Sequence, residues 1–120
     1  MKIRFHYSFQ DDVLTIYSDM APTETIEFTE FMNIDVNKEK GIVGLEIFEA
    51  SAFLGKQNKE LTKQFLSNLK DISIKYDEWR NTWFINLELT DKNNQTITQK
   101  LPPLKKSEYT SPLIASVNEK

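Results

Sequence analysis

The chain has 120 residues, 39% of them hydrophobic and 12% aromatic, with a net charge of −3; that suffices for one domain with a modest core and excludes global disorder. No apolar run approaches the roughly 18 residues of a membrane span, and Met1 to Phe9 alternates charged and apolar residues instead of carrying a signal peptide, so a cytoplasmic protein with no membrane partner is expected. The absence of cysteine and the single histidine, His6, exclude disulfides, thiolate nucleophiles, cysteine zinc sites and any two-histidine metal site within one chain, and no cofactor or metal is expected.

Ile3, Phe5, Tyr7 and Phe9 alternate with Lys2, Arg4, His6 and Ser8, the period of a half-buried strand. Gln10 to Asp12 turns the chain, and Val13 to Ser18 closes a hairpin. Asp19 to Thr23, with Ala21 and Pro22, is a loop. From Thr25 the chain extends again, with Ile26, Phe28, Glu30 and Met32 on one parity. The apolar parity changes near Glu30 to Met32, which predicts a bulge or strand break. The organising stretch is Ile34 to Ser51. One strand ends at Val36, Asn37 to Gly41 turns, and Ile42 to Glu49 forms a second strand. Both faces of this second strand carry apolar residues, which predicts a central strand covered on both sides.

Ala50 to Gly55 leaves the sheet. Asn58 is a candidate N-cap, and Leu61, Phe65 and Leu69 recur every four residues, so one amphipathic helix is predicted near residues 58–70. Period two returns with Ile72, Ile74 and Tyr76, then with Trp83, Ile85, Leu87 and Leu89. Asp91 to Asn94 turns into a last strand, Gln95 to Lys100, which Pro102 and Pro103 end. The expected fold is α+β: a mostly antiparallel sheet of about seven strands with one helix. Residues 1–104 form the single domain, 71–101 its second β-meander, and 105–120 a partly ordered tail. Tyr76, Asp77, Trp83 and Ile85 fall at the spacings of Tyr7, Ser8, Leu14 and Ile16, as two related hairpin units would, although nothing in the second half resembles Val43 to Ser51.

The first 51 residues carry a pattern: Tyr7, then Asp11 and Asp12, then Leu14 and Ile16, then Glu24, Ile34, Asp35 and Gly41. The closing block is Val43, Gly44, Glu46, Ile47, Ala50 and Ser51. This pattern resembles a family of small prokaryotic domains, the domain of unknown function numbered 2283. Ser8 departs from it, since Asp commonly follows the Tyr, and residues 52–120 lie outside it. The resemblance implies an antitoxin-like binding role, because family members look like companions of small toxin-like proteins.

Glu46 is mid-strand among apolar neighbours, where a carboxylate is costly unless paired. It reads either as a buried acid acting with Asp35 across the hairpin or as a surface group pairing with Arg4 or Lys2. Asp11 and Asp12 read as turn residues, favoured for their own backbone bonds. Tyr76, Trp79, Arg80, Trp83 and Phe84 form an aromatic hairpin with one arginine, in which Trp83 packs inside and Trp79 is exposed. The charge is uneven, with six Lys/Arg against eleven Asp/Glu in residues 1–60. The expectation is a non-catalytic module that binds a protein partner, a basic one included, or its own copy. The alternatives are a small enzyme or ligand-binding domain using the Asp35 and Glu46 carboxylates, and a weak nucleic-acid binder using Trp79, Arg80 and Lys100 to Lys106. An acidic chain disfavours the last.

Overall fold

The alternating segments form two antiparallel sheets that face one another. The structure, a computed structural model, describes residues 2–105; the tail beyond them lies outside the described residues. The first sheet holds β1 (Ile3–Ser8), β2 (Val13–Ser18), β3 (Glu24–Thr29), β4 (Met32–Asn37) and β5 (Gly41–Ile47), in the order β1-β2-β5-β4-β3. Two short helices follow, α1 (Ala50–Gly55) and α2 (Lys63–Ser67). The second sheet holds β6 (Leu69–Trp79), β7 (Thr82–Asp91), β8 (Thr96–Lys100) and the two-residue β9 (Leu104–Lys105), with β7 in the middle. The class is the expected α+β, mostly antiparallel. The strands exceed the expected seven because the parity change at Glu30 to Met32 is a hairpin turn between β3 and β4, and because β9 pairs with Thr82 and Trp83 beyond the two prolines.

Register explains the core. Phe5, Ile16, Leu45, Ile34 and Ile26 stand opposite one another across all five strands of the first sheet, and Tyr7, Leu14, Ile47 and Met32 make the next row. In the second sheet Ile72, Leu89 and Ile97 form one row. These rows meet in a single cluster with Leu54 of α1, Leu66 of α2 and Leu61 between the helices. Burying a side chain of this size stabilises the fold by about 1.5–3 kcal/mol.

Two local expectations change. β5 is central in its sheet, with Ile42, Leu45 and Ile47 in the core cluster and Val43, 2% exposed, buried outside it. Asp35 pairs with Gly44 and Val36 with Ile42, so a bulge around Val43 swings Ile42 to the core side. The opposite face carries Arg4, His6 and Tyr17, all exposed, so it is open. The single helix over 58–70 is also corrected. Leu61, Phe65 and Leu69 are all buried as their spacing demanded, but from a turn, a helix and a strand respectively. Asn58 accepts a hydrogen bond from the Glu60 amide at 3.0 Å and makes a turn, whereas Thr62 caps α2 by accepting from the Phe65 amide at 3.1 Å. The two hairpins differ in register. Tyr7 stands opposite Leu14, but Tyr76 stands opposite Ile85 and Trp83 opposite Glu78, so the matched spacings do not mark equivalent positions.

Tyr76 of β6 ties the second sheet to the first. Its hydroxyl donates to the Lys40 carbonyl at 3.2 Å and accepts from the Ile42 amide at 3.3 Å. Gly41 between them has φ of +83°, and a side chain there would collide with the same hydroxyl. Gly41→Ala is therefore expected to destabilise the protein by about 2–3 kcal/mol and Tyr76→Phe by about 1 kcal/mol. In urea denaturation the double variant should lose less than the sum of the two. Additive losses would show that the Tyr76 hydroxyl is not what holds position 41 to glycine.

Candidate functional site

The residues singled out in the sequence fall on two separate surfaces. Asp35 and Glu46 lie on the open face of the first sheet. Asp35 stands opposite Gly44, and Glu46 opposite Asn33 on one side and Thr15 on the other. They share a face as diagonal neighbours, both half-buried. Each carboxylate has its own cross-strand partner. Thr25 Oγ1 donates to Asp35 Oδ1 at 2.7 Å, and Asn33 Nδ2 donates to Glu46 Oε1 at 3.4 Å. A Cβ at position 44 would sit 2.9 Å from the Ile16 carbonyl oxygen and 3.1 Å from Asp35 Oδ2, so the neighbouring strands pack closely on Gly44 from both sides.

Trp79 and Arg80 lie at the tip of the β6–β7 hairpin. Asp77 pairs with Phe84 and Trp79 with Thr82, which puts Trp79 and Phe84 diagonally on the outer face of the second sheet. Trp79 is 61% exposed and Phe84 41%. The connection has only two residues, Arg80 and Asn81, with φ of 50° and 63°. Left-handed geometry at both positions gives the turn whose twist suits a tight hairpin. Asn tolerates that geometry, while Arg is strained there by about 1–2 kcal/mol. The strained arginine folds back over its neighbour, with its guanidinium carbon 4.4 Å from the Trp79 ring centroid. Trp83, one strand face away, is buried at 4% and donates Nε1–H to Glu78 at 2.8 Å. Lys100 stands opposite Asn86 on the same outer face, Lys105 pairs with Thr82 further along the same edge of β7, and Lys106 lies outside the described residues.

A carboxylate with several hydrogen-bond partners reads in the sequence as an ordinary turn residue. Asp12, with φ of 54°, closes the β1–β2 turn and reaches across to α1. Its Oδ1 accepts from Tyr7 Oη at 2.6 Å and from the Ser51 amide at 3.1 Å, and its Oδ2 accepts from Ser51 Oγ at 2.7 Å. Its backbone carbonyl accepts from the Ala50 amide at 2.8 Å. Glu49, at the N-cap position of α1, is left-handed and makes no side-chain cap. Asp12 therefore satisfies the exposed amides of the helix start from a distant turn. Burial pushes the Asp12 carboxyl up, but hydrogen bonds from Tyr7 and from the Ser51 hydroxyl and amide, with the Lys63 ammonium nearby, outweigh it and hold the group below its ordinary value. Burial raises the Tyr7 phenol, and the hydrogen bond to Asp12 and its charge raise it further. The signal for this cluster was present in the sequence: Tyr7, Asp12, Ala50 and Ser51 all belong to the family-like pattern.

Asp12→Ala should cost about 2–4 kcal/mol in chemical denaturation and Asp12→Asn, which keeps the turn geometry, about half as much. Because the folded-state value is lowered, the carboxylate's contribution is complete above about pH 4 and fades as pH falls through the lowered value. Wild-type stability should then drop more steeply than that of Asp12→Asn below pH ~4. Parallel pH profiles would show that the charge on Asp12 contributes nothing.

No curated protein and no solved structure matches the chain. A family model described as "Protein of unknown function (DUF2283)" matches residues 4–51. The matched segment runs from the second residue of β1 to Ser51, so the five-stranded sheet with its Asp12 clasp is the part of this chain that is similar to that family.

Proposed function

We propose that the protein is a non-catalytic module that binds another protein through the tip of the β6–β7 hairpin. The observation that carries this reading is the grouping of Trp79, Arg80 and Phe84 on one outer face, with the arginine stacked on the tryptophan. Trp, Tyr and Arg dominate the residues that anchor protein interfaces, and an exposed Trp beside an exposed Phe is costly to leave in water without a use. The tight turn and the long β6–β7 ladder hold these side chains in place before binding, which lowers the entropy cost of association. The fitting partner offers an apolar recess for Trp79 and an acceptor for Arg80. A protein partner is in line with the antitoxin-like role that the family resemblance implies. Self-association through the same face is the second form of this reading.

The test is affinity capture by the full chain from its host's lysate, run in parallel with Trp79→Ala and Phe84→Ser and read by mass spectrometry. Sedimentation of each protein alone across concentration reports self-association. A stoichiometric protein, or a dimer, that is present with wild type and weakened by about 30-fold with Trp79→Ala supports the face. A partner held equally by all three would place binding elsewhere. A chain that stays monomeric and captures nothing would overturn the module.

A further inference from the structure

Two polar side chains are buried among the described residues, Asp91 and Gln99, each 5% exposed. Asp91 is accounted for by its turn, where Oδ1 accepts from the amides of Asn93 at 3.0 Å and Gln95 at 2.8 Å. Gln99 is only half accounted for. It stands opposite Leu87 on the core side of β8, with Ile97 before it and Leu101 after it both buried. Its Nε2 donates to the Lys100 carbonyl at 3.0 Å and to Gln57 Oε1. A carbonyl only accepts, so the nitrogen's place is fixed and the amide oxygen is the other end. Nothing among the described residues donates to that oxygen. No buried polar side-chain atom among them is sealed in without a partner, so Gln99 Oε1 opens onto accessible space.

Gln99 lines a cavity of about 380 Å³ between the β3–β4 turn, α1 and the end of β8. None of Trp79, Arg80 and Phe84 belongs to it. Its apolar walls are Phe31, Phe53, Leu54 and Leu101. Phe31 and Phe53, both half-buried, pair with ring centroids 5.8 Å apart and a tilt of 31°, and make one aromatic wall. The charges of the lining balance. Lys56, whose ammonium lies 5.6 Å from the Phe31 centroid, is set against Glu30. Lys100 stands by register on the outer face of its sheet, and its carbonyl is taken up by Gln99.

We infer that this cavity is a binding site for a small neutral aromatic molecule that donates one hydrogen bond, through N–H or O–H, to Gln99 Oε1. The volume falls within the range of small-molecule sites, which combine apolar walls with a few placed polar groups. The paired phenyl rings suit a flat body of one or two rings, packed edge-on or offset against them. One ammonium against one carboxylate gives no preference for a charged ligand. The amide oxygen sets the polar requirement. A ligand that filled the space without a donor would strip water from Gln99 Oε1 and leave it unpaired, which is what makes a buried acceptor selective.

The test titrates the isotope-labelled full chain with indole and, separately, with benzofuran, which has the same shape but an oxygen in place of the N–H, following amide shifts by NMR. Indole should bind saturably, with a Kd on the order of a millimolar or tighter, and shift the backbone amides of Phe31, Phe53 and Leu101 and the side-chain amide of Gln99. It should bind about fivefold more tightly than benzofuran. In Gln99→Leu that preference should vanish while benzofuran still binds. No saturation, or shifts confined to other residues, would overturn the site. A preference that survived in Gln99→Leu would overturn the role of Gln99. Equal affinity of indole and benzofuran for the wild-type chain would overturn the donor requirement whether or not the variant folds.

Discussion

The five-stranded sheet has an apolar face with nowhere to go except against the other sheet. Rows of Phe5, Ile16, Leu45, Ile34 and Ile26, and of Tyr7, Leu14, Ile47 and Met32, form a continuous surface that water cannot be left to cover. The rows of Ile72, Leu89 and Ile97 and of Tyr76 and Ile85 are the matching surface. Every other feature follows from that pairing of faces. The outer faces are free to carry Asp35, Glu46, Trp79 and Arg80, and the helices add Leu54 and Leu66 to the core. The chain thus separates a buried half that decides stability from exposed faces that can vary with function.

The start of α1 is held by a single carboxylate. Asp12 meets the first amides of α1 and the phenol of Tyr7 at once, so the β1–β2 turn and the helix start cannot shift independently. The left-handed Glu49 is tolerable because Asp12 takes over the capping that position 49 does not perform. Tyr76 does the corresponding work at the β4–β5 turn, reaching from the second sheet to the backbone on both sides of Gly41. Each device joins residues that lie far apart in sequence.

That distance explains what the sequence could and could not reveal. Period two found β1, β2, β6 and β7 because alternation records which face is wet, and the paired registers bear this out at Ile16 and Leu45 and at Ile72 and Leu89. The same kind of signal misled at Leu61, Phe65 and Leu69, where spacing recorded burial alone and a turn, a helix and a strand all satisfied it. At Val43 a bulge changes the parity, so Ile42 joins Leu45 and Ile47 in the core where strict alternation puts it on the other face. The clasp at Asp12 has no local signature, because its partners stand at Ser51 and Tyr7, and an aspartate in a turn is already explained by the turn.

The strand order carries a consequence for how the chain reaches this state. β3, β4 and β5 follow one another and pair as neighbours, as do β6 and β7 across a two-residue turn. The contact between β2 and β5 is different in kind: it joins Leu14 to Ile47 around the whole β3–β4 hairpin and must close that loop before any pairing energy is gained. Local hairpins form on microsecond timescales without that cost, so the topology favours a late event in which the β1–β2 hairpin docks onto a preformed three-stranded meander. Asp12 then acts as a latch on that event, since its bonds to Ala50 and Ser51 exist only once β2 lies beside β5.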